Sequence, residues 1–419
     1  MSPTGWPTAP LRRMAKIRAG AGFPIHLQGV SDDTYPFFKV NCLAQAGPDG
    51  VIRDTYDTVS RQTADLLGAA IIPAGSMVMA KIGAALNLGR IRVLSQDSCI
   101  DNNMLALTPR RDVDARYLFY ALHDLEMETL VNPGAVPSLS ERALRGYQLP
   151  QPPVEVQTRI ADFLDRETAK IDGLVDAEKS LLRLLEERRS ARVVTEVLGG
   201  YAQATGGDWL PPLPERWERG RIKSVAIGVT DGAHISPVTE LGTHDFVSTR
   251  DVKNGSIDFA GSLKTDDESY RYMVRTGCQP VPGDVLFSKD GTVGETAVVP
   301  EGHSFVVASS LVIIRPHAGR IDSNYLRYVL GSTLVTEQAY SMMRGAGLPR
   351  LSVANLARLE LPIPPIEVQV AIATRLAREA DRVEQVVSRT RQSIALAQER
   401  RSALITAAVT GQIDVGRAA

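Results

Sequence analysis

Lys81, in "SMVMAKIG" (Ser76–Gly83), and Lys289, in "DVLFSKDG" (Asp284–Gly291), each close an apolar run beside a glycine turn, 208 residues apart. An ammonium group at such an end can reach a phosphate oxygen, and glycine lets backbone come close to a bound ligand. A solvated lysine at a strand end reads the same way, and recurrence in both halves is what argues for binding. "MMRGAGLPRLS" (Met342–Ser352) puts Arg344 and Arg350 on a glycine loop suited to anion contact. Its counterpart "VNPGAVPSLS" (Val131–Ser140) has neither arginine. Arg12, Arg13, Lys16 and Arg18 form the densest local basic cluster, which equally suits an exposed helix or strand face. Lys39 and Arg250 complete the candidate cations.

Catalytic chemistry finds no comparable support. There is no G-x-x-x-x-G-K-[ST] phosphate loop and no G-x-G-x-x-G turn between a strand and a helix. "NPG" at Asn132 falls short of the Asn-Pro-Pro-aromatic arrangement with which amino-methylating enzymes hold a flipped base. Six histidines show no ligand spacing, and His234 and His244, near Asp231 and Asp245, fit a solvated loop better than a metal. No serine has the context of a nucleophile elbow. Cys42, Cys99 and Cys278 are odd in number and far apart, so neither a disulfide framework nor a zinc cluster is expected. The residues read as a recognition part rather than an enzyme.

Bulk properties narrow the class further. With 419 residues, 44% hydrophobic and 23% charged, the chain fits two or more globular domains. It has no signal-like N-terminus and no apolar run near the roughly 18 residues that span a bilayer, so a cytoplasmic protein is expected. A net charge of −1 gives nucleic-acid binding no support unless the cations cluster or partners share the contacts.

The elements that must position these residues are written twice. "LPQPPVEVQ" (Leu149–Gln157) and "LPIPPIEVQ" (Leu361–Gln369) agree at seven of nine positions, 212 residues apart. At the same offset "EERRSA" (Glu186–Ala191) lies over "QERRSA" (Gln398–Ala403). Upstream the offset is 208, where "DARYLFYAL" (Asp114–Leu122) lies over "DSNYLRYVL" (Asp322–Leu330). Gly20–Arg61 and Gly228–Glu268, by contrast, barely resemble each other. The plan is a variable globule and a long helix, twice over.

Proline suits the first turn of a helix, and Glu155 and Glu367 favour its positive end. Apolar residues then return in heptads: Ile160, Leu164, Ile171, Leu174, Leu181 and Leu185, and in the second copy Ile372, Leu376, Val383 and Val386, before a shift to Ile394 and Ala397. The spacing predicts two helices of roughly 40 residues, ~60 Å long, packed antiparallel about a pseudo-twofold axis as a coiled coil. From the heptads alone, dimerisation helices or a plain spacer fit as well. Between them, short β-like runs ("SMVMAKIG", "DVLFSKDG", "TAVVP", "FVVASSLVIIRP") and helical stretches ("ARYLFYALHDLEMETLV", "NYLRYVLGSTLVTEQAYSMM") predict an α+β fold without a parallel-sheet signature.

Two variable globules, each ending in "LPxPP-(Val/Ile)-EVQ" and a helix carrying "ERRSA", resemble the specificity (S) subunit of Type I restriction–modification enzymes. "GAGFPIHLQG…YPFFKV" (Gly20–Val40) is also similar to the opening of a target recognition domain in that family. The resemblance covers essentially the whole chain. It implies a target recognition domain at 1–148, a conserved spacer helix at 149–200, a second recognition domain at 201–360, a second helix at 361–413 and a tail at 414–419. Each globule would read one half of an asymmetric split site in double-stranded DNA, the half-site centres lying about one helical turn, ~34 Å, apart. Candidate DNA contacts are Arg12, Arg13, Lys39, Lys81, Arg250, Lys289, Arg344 and Arg350. The helices would dock two methylation (M) subunits, which carry S-adenosylmethionine, and restriction (R) subunits would bring ATP and Mg; this chain itself holds no cofactor or metal. The alternatives are a related bipartite system with a fused methylation–cleavage partner, or a duplicated coiled-coil scaffold that does not bind DNA.

Overall fold

The computed structural model describes residues 6–47, 49–53, 55–201, 208–239, 242–343 and 350–415. They fall into two compact units that do not follow chain order. The first comprises the described residues up to Lys179 together with those from Arg391 onward; the second is Ser180–Thr390. Two 44-residue helices, Val154–Val197 and Ile366–Val409, each contribute to both units. No described helix is long and apolar enough to cross a membrane.

In the first unit a five-stranded sheet runs Ala15–Ala19, Met104–Pro109, Met77–Ala80, Ile91–Leu94 and Val51–Ile52, antiparallel except at the last pair. A smaller sheet sets Tyr35–Phe38 between Thr58–Val59 and a parallel Cys99–Ile100. The second unit repeats this plan. Ala226–Asp231, Leu311–Pro316, Val285–Ser288 and Thr296–Val298 form an antiparallel sheet, and His244–Val247 pairs with Leu263–Thr265 and a parallel Phe305–Val307. The segments without sequence similarity therefore share the small three-stranded sheet but not every strand: Val51–Ile52 joins the first unit's large sheet, where the second unit has a separate hairpin of Val252–Lys253 and Ser256–Ile257.

One backbone crossing explains a glycine found in both copies. A Cβ on Gly20 would lie 2.0 Å from the carbonyl oxygen of Asp101, and one on Gly232 would lie 2.1 Å from that of Ala308. Only glycine lets the strand pass this close to the neighbouring parallel pair.

Each globule is fastened to its helix by the repeated proline phrase. Thr8–Pro10 pairs with Gln148–Pro150, and Glu218–Arg221 with Glu360–Ile363, so each globule's start and end meet at the helix entrance. Proline offers carbonyls but no N–H, so these carbonyls need donors from elsewhere. Tyr117 Oη donates to Pro150 O (2.8 Å) and Gln157 Nε2 to Pro152 O (2.8 Å). Gln157 Oε1 in turn accepts from the backbone N–H of Asp114 (3.0 Å), whose carboxylate caps the helix Ala115–Leu122. The second unit reproduces the lock. Tyr325 Oη donates to Pro362 O (3.1 Å), Gln369 Nε2 to Pro364 O (2.8 Å), and Asp322 N–H to Gln369 Oε1 (2.8 Å). Burial pushes both tyrosine hydroxyls well above their ordinary pKa, which keeps them neutral donors.

Within each unit the start of one long helix packs against the end of the other, antiparallel. Ile160 and Leu164 share a core with Ile405, Ala408 and Val409; Ile372 and Leu376 share one with Val194, Val197 and Leu198. Away from these ends the heptad register slips. Leu174, Leu181 and Val386 are 50%, 42% and 42% exposed, while Thr168, Val175, Thr390 and Ala397 are buried. Ile171, Leu185, Val383 and Ile394 are half-buried. A nearly straight α-helix turns ~20° per heptad away from a 3.5-residue repeat, so a strict heptad count drifts off the packed face. Two predicted helices are also interrupted, into Ala115–Leu122 and Met127–Leu130, and into Ser323–Leu330 and Thr333–Met342. "FVVASSLVIIRP" divides into Phe305–Val307 and Leu311–Pro316, which belong to different sheets.

Candidate functional site

Lys289 ends the strand Val285–Ser288 and is only 8% exposed. Its Nζ donates to Asp231 Oδ2 (2.9 Å), and the same oxygen lies 2.8 Å from His234 Nε2. The lysine expected to reach a phosphate is thus the internal counter-ion of a carboxylate. Sequence shows the strand end but not the aspartate 58 residues away that claims the ammonium. Asp231 Oδ1 is buried without a hydrogen-bond partner, so removing the lysine would leave this carboxylate poorly compensated in the fold. Lys289→Met is expected to destabilise the second unit by about 2 kcal/mol in urea unfolding, the partial exposure of Asp231 reducing a fully buried cost. Lys81→Met is expected to cost less than ~0.5 kcal/mol, because Lys81 sits 3.8 Å from a half-exposed Glu141.

Arg250 and Arg350 are more open. Arg250 lies on the turn Thr249–Asp251, where its Nε donates to the buried Asp251 (3.1 Å) and its side chain stays 55% exposed. Arg250, Lys253 and Asn254 border an open depression of about 590 Å³ together with Asp290, Thr292 and Ser310. Arg350 lies 4.0 Å from Asp290 and is 74% exposed. Arg344 lies outside the described residues. His244 is held by Asp267 (2.7 Å) and stacks on Tyr270, so the two histidines belong to separate carboxylates. Among the described residues no three His, Cys, Asp or Glu side chains converge as metal ligands.

The first unit presents a different surface on the same frame. Lys39 Nζ lies 2.6 Å from the buried Asp57 and donates to Gln28 Oε1 (2.9 Å), tying the loop after Phe23 to the small sheet. Lys39 and Lys81 both act on Asp101. Burial raises the pKa of that carboxyl above its ordinary value; N–H donors at Asn103 and Val40 and the two ammonium groups oppose the rise without cancelling it. Arg12 and Arg13 stand exposed on the short helix Leu11–Met14, with Lys16 exposed on the next strand. The unit also has a cavity of about 520 Å³ lined by Tyr120, His123, Asp165, Thr168, Asp172 and Arg401 among others. Two of its carboxylates are held internally: Tyr120 Oη donates to Asp165 (2.7 Å), and Arg401 donates to Asp172 (2.9 Å). Burial pushes the Tyr120 hydroxyl up to about 12.

Sequence reading missed a basic depression on the helix pair of the second unit, lined by Arg188, Arg378 and Arg382 among others. The signal was present in the spacing 375, 378, 382, which puts three arginines on one helix face. Of the three cysteines, all buried, Cys99 has its thiol pushed up to about 11 by burial, so it is no thiolate at neutral pH. What both units offer chemically is hydrogen bonding and positive charge on rigid β-scaffolds.

Comparison with known proteins gives a consistent answer. A family model described as "Type I restriction modification DNA specificity domain" matches residues 3–180 and 214–385. The chain is 22% identical over 345 residues to the Type I restriction enzyme MjaVIII specificity subunit of Methanocaldococcus jannaschii, spanning 78% of this chain and 77% of that one. It is 23% identical over 296 residues to the Type I restriction enzyme EcoBI specificity subunit of Escherichia coli, spanning 65% of this chain and 61% of that one. A solved chain from work described as "Structural basis underlying complex assembly and conformational transition of the type I R-M system" superposes with a TM-score of 0.65 at 16% identity. That match covers 99% of this chain and all of the other, and shows a shared fold.

Proposed function

Because this chain belongs to the Type I restriction modification DNA specificity domain family, we propose that it is the non-catalytic subunit that reads a split, asymmetric DNA site for a restriction–modification complex. Each globule reads one half-site, and the helical segments set the gap and dock two methylation subunits. Those subunits bring S-adenosylmethionine to a flipped adenine, and restriction subunits add ATP- and Mg-dependent cleavage. The complex works in the cytoplasm on host and invading DNA.

The observation that carries this reading is one fastening device holding two unlike surfaces. The Tyr–Pro and Gln–Pro lock is the same in both units. The polar groups it supports are not: Lys39 with Asp57 in one, Lys289 with Asp231 and His234 in the other. Linked weak readouts gain affinity through effective concentration, which makes two short half-sites sufficient. The near-neutral charge suits a subunit whose partners share the phosphate contacts.

Exchanging residues 1–148 for the first globule of another family member should change one half of the methylated motif and leave the other half and the gap intact, as read by methylome sequencing. A change in both halves would sink the assignment of one globule to one half-site.

A further inference from the structure

The helix pair of the second unit carries a concentration of charge that half-site reading does not use. An open depression of about 740 Å³ is lined by Arg188, Arg189, Arg192, Arg375, Arg378 and Arg382, with Glu379 its one carboxylate. Arg192 pairs with Glu196 (2.6 Å) and Glu379 (3.5 Å), and Arg375 with Glu196 (2.7 Å). Arg188, Arg189, Arg378 and Arg382 make no ion pair among the described residues. A guanidinium cannot shed its proton to relieve like-charge repulsion, so only an anion can neutralise such a hollow.

The shape of the surrounding surface indicates which anion. Arg189 also borders a second depression with Arg327, Asn254 and Gly255. Asn254 in turn borders the depression that holds Arg250 and Lys253. Cations therefore recur from the helices to the candidate reading face, with Glu186, Glu295 and Asp290 set among them. Such a spaced line of cations suits a long linear polyanion better than one acidic side chain or a small ion. Planar guanidinium forks match phosphate oxygens in geometry as well as charge.

We propose that this arginine track grips the phosphate backbone of DNA flanking the second half-site, whatever its base sequence. At the matching positions of the first unit Arg400, Arg401, Arg166 and Lys170 recur for Arg188, Arg189, Arg378 and Arg382, while Phe163 and Leu404 stand in place of Arg375 and Arg192. There Lys170 is bound to Glu167 (2.7 Å), and Arg401 to Asp172 (2.9 Å).

The inference rests on the DNA-binding reading above, and its test separates the two. The complex assembled with its methylation subunits is titrated, across a range of salt concentrations, with a duplex carrying the host motif and with a scrambled duplex of equal length. Combining Arg188→Ala, Arg378→Ala and Arg382→Ala should reduce the slope of log affinity against log salt by roughly 3, weaken both duplexes alike and leave the methylated motif unchanged. Lysine at the same three positions should restore the slope. An unchanged slope overturns the inference. So does loss of methylation subunits with the slope intact, which would make the track a protein dock. If the unaltered complex binds neither duplex, the DNA-reading proposal falls with it.

Discussion

Replacing Gln369 with leucine is expected to destabilise the second unit by roughly 3–5 kcal/mol, although leucine fills a similar volume. Gln369 is fully buried and makes three hydrogen bonds: it accepts from Asp322 N–H (2.8 Å) and donates to Pro364 O (2.8 Å) and Arg320 O (3.0 Å). Leucine strands one N–H and two carbonyls where water has little access, at ~1–3 kcal/mol for each group left unpaired. Gln157→Leu removes two such bonds and is expected to cost roughly 2–4 kcal/mol in the first unit. Urea unfolding monitored by amide hydrogen exchange would assign each loss to its unit. A change below ~1 kcal/mol in both would mean that the proline phrase is not the fastening device described here.

The second large effect is expected from lengthening the helices. One heptad inserted between Ile171 and Leu185, matched by one between Val383 and Ala397, adds ~10 Å, or about three base pairs of DNA rise. The methylated motif should keep both half-sites and acquire a gap about three base pairs longer. Affinity should fall as well, since three added base pairs turn the groove by nearly a third of a helical turn. Insertion in one helix alone should instead break the antiparallel pairing and abolish methylation. Retention of the original gap by the doubly lengthened chain would show that the helices do not measure distance.

How much of this was legible beforehand follows from the range of each interaction. The duplicated frame, the α+β class and the proline-started helices rest on local sequence, and "PPVEVQ" and "PPIEVQ" mark the starts of helices whose first residues are Val154 and Ile366. The role of the glutamine in that phrase was not legible, because its partners Asp114 and Asp322 lie more than forty residues away in the chain. Leu174 and Leu181 were placed in the seam by counting sevens, whereas the helix turns at its own period and buries Val175. Lys289 looked free because Asp231 comes from another strand. Arg378 and Arg382 share a hollow with Arg188 that exists only once the partner helix is in place.

The most direct test of two unlike readers on one repeated frame is methylome sequencing of the host with and without this chain. The expected result is one adenine-methylated motif present only with the chain, made of two different half-sites around an unread gap. A motif that is contiguous or palindromic, or a methylome indifferent to the chain, would contradict it.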